Sequence, residues 1–289
     1  MVTIVITTKD RAHFLVERSL KSALLQTYSD YEVIVIDDAG KDNTEQIVLN
    51  YAHKNKNVRY IKFPINKGLS FARNYGIQQA KGEYIVCLDD DNELRPKFLE
   101  RAVKVIGDYD AVAVGRVVQY KDFADYVVPN IDKYSSIDWG WLIKKSVFDE
   151  IKYDEDMRAN EDTDFGMQFF KRFKAIQINE PLTIAYEEMG NPRNSLSFPT
   201  QRELDGMTYF FNKNFHEYES LKEKWHLYKL MGRKFYRGGH RIQGLKYFLK
   251  GFQTYPNLRS LVHLFFILFG WSIYDKYMTF EEKLAAKKR

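Results

Sequence analysis

Apolar residues in the first ninety positions come in four short runs, at 2–6, 32–36, 58–63 and 84–88, separated by stretches of a different period. Val16, Leu20, Ala23 and Leu24 recur on one helical face. A second helix opens at Asp42 with Glu45 three residues on, the spacing of a capping box, and a third covers 69–80. Strand and helix in this alternation predict a mostly parallel, doubly wound α/β sheet. A further strand is expected at 111–118, followed by a polar, aromatic stretch with Pro129 that has no period to assign. Trp139-Gly140-Trp141, a helix from Lys145, and a helix at 165–173 just after the run Asn160-Glu161-Asp162-Thr163-Asp164 complete this part.

Beyond Pro199 the pattern turns helical, basic and aromatic, which divides the chain into a domain at 1–200 and a helical C-terminal region at 201–289. Tyr228, Gly244, Tyr247 and Pro256 resemble one tetratricopeptide hairpin; a single unit cannot stack into a solenoid, so an ordinary helix pair is expected. At 289 residues, with 45% hydrophobic and 16% aromatic content, the chain can bury a sizeable core and is not expected to be disordered. Its one cysteine, Cys87, excludes an intramolecular disulfide framework and a cysteine zinc cluster, in keeping with a reducing compartment. The opening residues lack a basic segment, a long apolar core and a cleavage site, so no export signal is expected and the cytoplasm is the expected location. The charge is divided unevenly: residues 1–200 carry 27 Lys and Arg against 31 Asp and Glu, residues 201–289 carry 17 against 8.

Asp89-Asp90-Asp91 follows an apolar strand, so three carboxylates fall at a strand's carboxyl edge, where open α/β sheets bind ligands. Adjacent carboxylates repel unless something positive sits among them, and hard oxygen ligands suit Mg²⁺ or Mn²⁺; an acidic turn ahead of a helix is the plainer alternative. Asp37-Asp38 ends a neighbouring strand, with an ordinary turn as its alternative. The loop and helix from Asn66 to Gly76 hold Arg73 in early turns, where helix N-termini and arginine favour phosphate, although Arg73 could simply pair with an acidic neighbour. In Glu161-Asp162 one carboxylate can serve as a general base, or Asp162 can cap the helix. The histidines form no ligand-spaced cluster. Trp139 and Trp141 are candidates for stacking on a sugar and equally for the core.

Taken in order, these motifs resemble the inverting family 2 glycosyltransferases over residues 2 to about 185. The resemblance implies a Rossmann-like, mostly parallel α/β fold of the nucleotide-sugar transferase A type, with a C-terminal helical appendage. It implies a nucleoside diphosphate sugar donor, UDP-sugar first, met by Thr7, Lys9, Asp38, Arg73, Asp89 and Asp90. It further implies Mn²⁺ or Mg²⁺ on Asp91 and Asp89, and Asp162 as base with Glu161 in reserve. Thr7-Thr8 matches the threonine-rich turn and Gly68 to Gly76 matches the Gly-x-x-x-Ala-Arg-Asn-x-Gly element. The sequence departs from the family at Lys9-Asp10, where an aromatic residue and Asn are common.

Two rivals remain. A sugar nucleotidyltransferase would carry a glycine-rich basic loop after the first strand, and Thr7 to Arg11 has no glycine. A non-catalytic sugar or membrane-surface binding protein would have lost the carboxylates, which are present. The expected role is cell-surface polysaccharide or glycolipid synthesis on a saccharide or lipid-linked acceptor, without nucleic acid. Ser260 to Tyr274 is too short an apolar stretch to span a bilayer. With Trp271, Tyr274 and Tyr277, the basic residues Lys283, Lys287, Lys288 and Arg289, and Arg233, Lys234, Arg237 and Arg241 upstream, it suits an anionic membrane surface at the inner face, or else a buried core helix.

Overall fold

The computed structural model describes residues 1–120, 123–128, 131–132, 135–186, 199–269, 273–274 and 276–277. Pro129, Trp271, Lys283, Lys287, Lys288 and Arg289 lie outside the described residues. The chain forms two compact units, Met1–Met189 and Gly190–Arg289.

The first unit is built on strands β1 (Val2–Thr8), β2 (Tyr31–Asp37), β3 (Val58–Lys62), β4 (Tyr84–Asp89), β5 (Glu93–Leu94), β6 (Ala111–Gln119), β7 (Ala124–Val127), β8 (Leu142–Lys144) and β9 (Ala175–Tyr186). Their order is β3-β2-β1-β4-β8-β6-β9-β5, with β7 also paired to β6. The run β3-β2-β1-β4 is parallel, β8 is antiparallel to both β4 and β6, and β9 runs parallel to β6. Helices α1 (Ala12–Phe14) and α2 (Leu20–Leu24), joined by a π-helical turn at Leu15–Ser19, follow β1. Then come α3 (Thr44–Lys54), α4 (Leu69–Gln79), α5 (Phe98–Ile106), α6 (Val147–Glu150) and α7 (Glu161–Phe170).

Strands β1, β2 and β4 read as nearly unbroken apolar runs because both faces are covered, whereas β3, at the sheet edge, reads Val-Arg-Tyr-Ile-Lys and buries only Val58. Val2, Ile4, Ile6, Val33, Val35, Val86 and Leu88 enter one cluster with Leu15, Leu20 and Phe98; Val5, Ile34, Ile36, Ile85 and Cys87 enter another with Ala72, Phe148 and Phe165. Gly76 lets α4 approach the sheet closely: a Cβ there would run into Val5 Cγ1 and lie 3.2 Å from Ile36 Cγ1.

Some local expectations fail. No capping box forms at Asp42, because its carboxylate accepts from the Ala12 backbone N–H (2.9 Å) and from Thr44, while Glu45 pairs with Lys62 at 3.1 Å. Asp42 thus ties together the starts of two helices. The helix expected from Lys145 is the single turn α6, and the helix expected at 165 begins four residues earlier, at Glu161.

In the second unit, α8 (Gln201–Asn214) and α9 (Leu221–Arg237) each start with a capping box, Thr200 with Glu203 and Ser220 with Glu223. A 3₁₀ turn (Phe215–Glu217), α10 (Arg241–Thr254) and α11 (Leu258–Leu268) complete the described part. Glycines set the crossing of α9 and α10: Gly232 faces Phe248, Gly244 faces Tyr236 and Gly251 faces Tyr228, an antiparallel pair as expected. Among the described residues no helix is long and apolar enough to cross a membrane.

Candidate functional site

Strand register gathers the acidic motifs. Thr7 is level with Asp89 and Thr8 with Asp37, so the carboxyl ends of β1, β2 and β4 share one edge. Chain order reverses there, since β2 and β3 lie on one side of β1 and β4 on the other, and such switch points open a crevice. Three non-glycine residues with positive φ stand on the loops serving this region: Asp10 (54°), Ala39 (63°) and Asn160 (62°). Strained backbone of this kind concentrates at sites that function requires.

The carboxylates of Asp89-Asp90-Asp91 have three different surroundings. Asp89, its side chain 30% exposed, accepts from Arg73 at 2.8 Å. Asp90 is buried, accepts from Thr8 Oγ1 (2.8 Å) and pairs with Arg11 at 2.9 Å. Burial dominates over Arg11 and Thr8 and pushes its carboxyl up to about 7. Asp91, 21% exposed, pairs with the same Arg11 at 2.5 Å, and its carbonyl accepts from Arg18 at 3.2 Å.

Arg73, expected on the donor phosphates, is 3% exposed and lies inside the site as a strut, donating to Asp89 and, at 3.2 Å, to Glu161. Burial opposes its charge, but Asp89, Tyr153 and Glu161 outweigh it and hold the guanidinium well above its ordinary value. The bridge joins β4 to the first turn of α7. Asn160, in left-handed conformation, precedes that turn, so Glu161 and Asp162 sit within the helix and not ahead of it. The N-cap position is therefore Asn160, and Asp162 instead accepts from the Thr163 backbone N–H at 2.7 Å. Burial first, then Glu161 and Asp138, push the Asp162 carboxyl up to about 6.

Asp38 is committed locally: it accepts from the Asn66 side chain (2.5 Å) and from the backbone N–H groups of Lys67 (2.6 Å) and Gly68 (2.8 Å), shaping the loop into α4. Asp37 holds Tyr60 (2.6 Å) and Gly40 (2.7 Å). Thr7 is buried at the edge beside Asp89, and Lys9 is exposed. Trp139 and Trp141 are both buried in the core, so neither offers a face to a sugar.

Three charged residues escaped the sequence argument. Arg11 holds Asp90 and Asp91; Arg116 grips Asp138 with two bonds (2.8 and 2.9 Å) and stacks on Trp139, its guanidinium 4.1 Å from the ring centre. Asp138 in turn acts on Asp162. The one signal in the sequence is position: Arg11 follows the threonine turn and Asp138 immediately precedes the tryptophan pair.

Among the described residues no group of three or more His, Cys, Asp or Glu could cage a metal ion. The partly exposed carboxylates of Asp89 and Asp91 fit a narrower role, since Mg²⁺ and Mn²⁺ commonly take one or two carboxylates and fill the remaining positions from phosphate and water. Asp91 would have to share or exchange Arg11 to do so.

Residues 3–178 match the family model described as Glycosyl transferase family 2. The chain is 27% identical over 214 residues to the uncharacterized glycosyltransferase EpsJ of Bacillus subtilis, a match covering 66% of this chain and 61% of that one. In fold it resembles S. aureus TarS 1–349 in complex with UDP-GlcNAc (TM-score 0.62, 17% identity, 88% of this chain and 81% of that one). It also resembles the mannosyltransferase PcManGT of Pyrobaculum calidifontis in complex with GDP-Man and Mn²⁺ (TM-score 0.58, 17% identity, 99% and 85%). These likenesses establish the A-type glycosyltransferase fold, a mixed, mostly parallel sheet with helices and C-terminal helices beyond it.

Proposed function

The chain belongs to glycosyl transferase family 2, and on that premise we propose that it moves a sugar from a nucleoside diphosphate sugar, UDP-sugar first, to an acceptor hydroxyl with inversion at the anomeric carbon. The observation that carries the reading is the Arg73 bridge, which joins the Asp89-Asp90-Asp91 turn to Glu161, the chain neighbour of a half-buried, proton-seeking Asp162, and so supports Asp162 as the base next to the candidate diphosphate site. A carboxyl held at about 6 is deprotonated at neutral pH yet basic enough to take a proton.

In this reading Asp162 accepts the acceptor's hydroxyl proton as the acceptor oxygen bonds to the anomeric carbon. The bond from that carbon to the donor phosphate breaks, and the nucleoside diphosphate departs with the electron pair. Asp91 and Asp89 are the residues to hold Mn²⁺ or Mg²⁺, which would neutralise charge on the leaving diphosphate. The related folds bind UDP-GlcNAc in one case and GDP-Man with Mn²⁺ in the other, which supports a nucleotide-sugar donor and leaves its base to experiment. A saccharide or lipid-linked acceptor in polysaccharide or glycolipid synthesis fits this chemistry.

The test is a thermal-shift panel of UDP- and GDP-sugars with Mn²⁺ or Mg²⁺, followed by donor hydrolysis with the best stabiliser. A cation-dependent rise in Tm with one donor and slow release of its nucleoside diphosphate are expected. Binding without any turnover under either cation would favour the non-catalytic reading instead.

A further inference from the structure

Helix α11 is apolar on two sides. One side is already packed: Ser260, His263 and Ile267 are buried, with Ile267 in a cluster with Tyr236, Phe248 and Tyr274. On the other, Leu258, Leu261, Phe265 and Leu268 follow one another at three- and four-residue steps, a single helical stripe. They are 77%, 49%, 53% and 65% exposed, and Phe269, just past the helix end, is 59% exposed. A continuous apolar stripe of this size marks a surface that meets something apolar.

Charge indicates what that is. From Lys224 to Tyr274 the chain carries nine Lys and Arg and no Asp or Glu over 51 residues. On α10, which packs against α11 through Leu245 and Phe248, the exposed side chains include Ile242, Leu249, Arg241, Lys246 and Lys250, so basic and apolar groups are mixed on the surface. Two copies meeting through such acid-free segments would bring like charges together, whereas anionic head groups would meet the exposed Arg241, Lys246 and Lys250 with opposite charge. The helix has eleven residues, about 16 Å long, against a hydrocarbon core of about 30 Å. A helix of this length and character lies along a bilayer surface and does not cross it. The α9 cations expected to join in contribute less: Arg233, Lys234 and Arg237 are half-buried, and burial lowers Lys234 despite Glu203 nearby.

We propose that α11 docks in the interfacial layer of an anionic phospholipid bilayer, its outer stripe among the acyl chains and the surrounding Lys and Arg at the head groups. The docking does not depend on which sugar the catalytic unit transfers.

The experiment is co-sedimentation of the full chain with phosphatidylcholine vesicles, with and without phosphatidylglycerol in about equal proportion, at low salt and at roughly 0.5 M salt, where screening is nearly complete within a few ångström. Two paired variants, Phe265→Ser with Leu268→Ser and Leu258→Asn with Leu261→Asn, remove outward side chains and leave the packed side intact; unchanged circular dichroism and Tm certify their folding. Binding confined to phosphatidylglycerol vesicles, weakened by salt and reduced at least about tenfold in each variant, is the expected result. Failure of the parent chain to sediment, or equal sedimentation by both variants, overturns the proposal. So does concentration-dependent dimerisation by light scattering that the stripe variants abolish, which would assign the face to a second copy.

Discussion

If Asp162 is the base, replacing it should damage catalysis and improve stability in one step. Its carboxyl stands at about 6 against an ordinary 3.8, with burial the leading cause and Glu161 and Asp138 adding to it. The folded state therefore binds the proton more tightly than the unfolded chain. Stability attached to this group is intact below about 3.8, falls as pH rises to about 6, and by pH 7 the ionised carboxylate has cost the fold about 3 kcal/mol at ~1.4 kcal/mol per pH unit. Asp162→Asn keeps an oxygen to accept from the Thr163 N–H (2.7 Å) and discards the charge. The variant should melt higher than the parent at pH 7.5, by roughly 6–12 °C for a unit of this size. The difference should shrink towards zero near pH 4. Turnover should fall by about 10² or more with donor affinity held within a few-fold, and the parent's kcat/KM should rise about tenfold per pH unit below about 6 and level off above it. Differential scanning fluorimetry across pH, paired with initial rates on the donor identified by the panel, reads all of these. A variant that is no more stable at pH 7.5 refutes the desolvation argument, and one that keeps turnover within tenfold moves the base elsewhere.

The remaining predictions address the groups around that carboxylate. Arg11→Met should tighten Mn²⁺ binding in calorimetry several-fold, because the cation no longer exchanges with a guanidinium on Asp91, and weaker binding would mean that Arg11 assists the site. Arg73→Leu leaves Asp89 and Glu161 facing each other without their shared cation and should cost about 3–5 kcal/mol in thermal unfolding; a loss below about 1 kcal/mol would show that the bridge is not structural. Gly76→Ala should lower Tm, with about 1–3 kcal/mol of overpacking from the methyl against Val5 and Ile36, and an unchanged Tm would mean that α4 can retreat from the sheet at no cost.

How much of this could be read from the sequence depends on how far apart the interacting residues lie. Strands β1, β2 and β4 are legible because both faces are buried, and a strand buried on both faces is an apolar run that ends where the chain leaves the sheet; the edge strand β3 is legible only by its β-prone residues. Asp37-Asp38 and Asp89 are legible for the same reason, as the polar residues that close those apolar runs. Strand β9 is not, since Gln177, Asn179, Glu180 and Pro181 interrupt it and it is held by pairing with β6 across a register shift at Gly115, which no local period encodes. The start of α7 is hidden because its first turn faces the site and is polar, while the helical period becomes visible only from Phe165.

Charge repulsion, one step in reading a metal from the sequence, is answered by the chain itself. Three adjacent carboxylates require a bound cation only when each is counted as a full charge at a fixed distance. In the fold, Arg11 arrives from about eighty residues away to pair with two of them, Arg73 takes the third, and burial leaves Asp90 half-protonated near neutral pH. Repulsion is thus relieved by the chain itself, and acidic spacing alone carries no metal. The case for a cation rests on a different property: Asp89 and Asp91 keep part of their surface open at the switch-point edge while Asp90 does not. A divalent ion binding there would compete with one salt bridge and not fill an electrostatic void, so its affinity should be modest without the donor and should rise when the diphosphate brings its own oxygens.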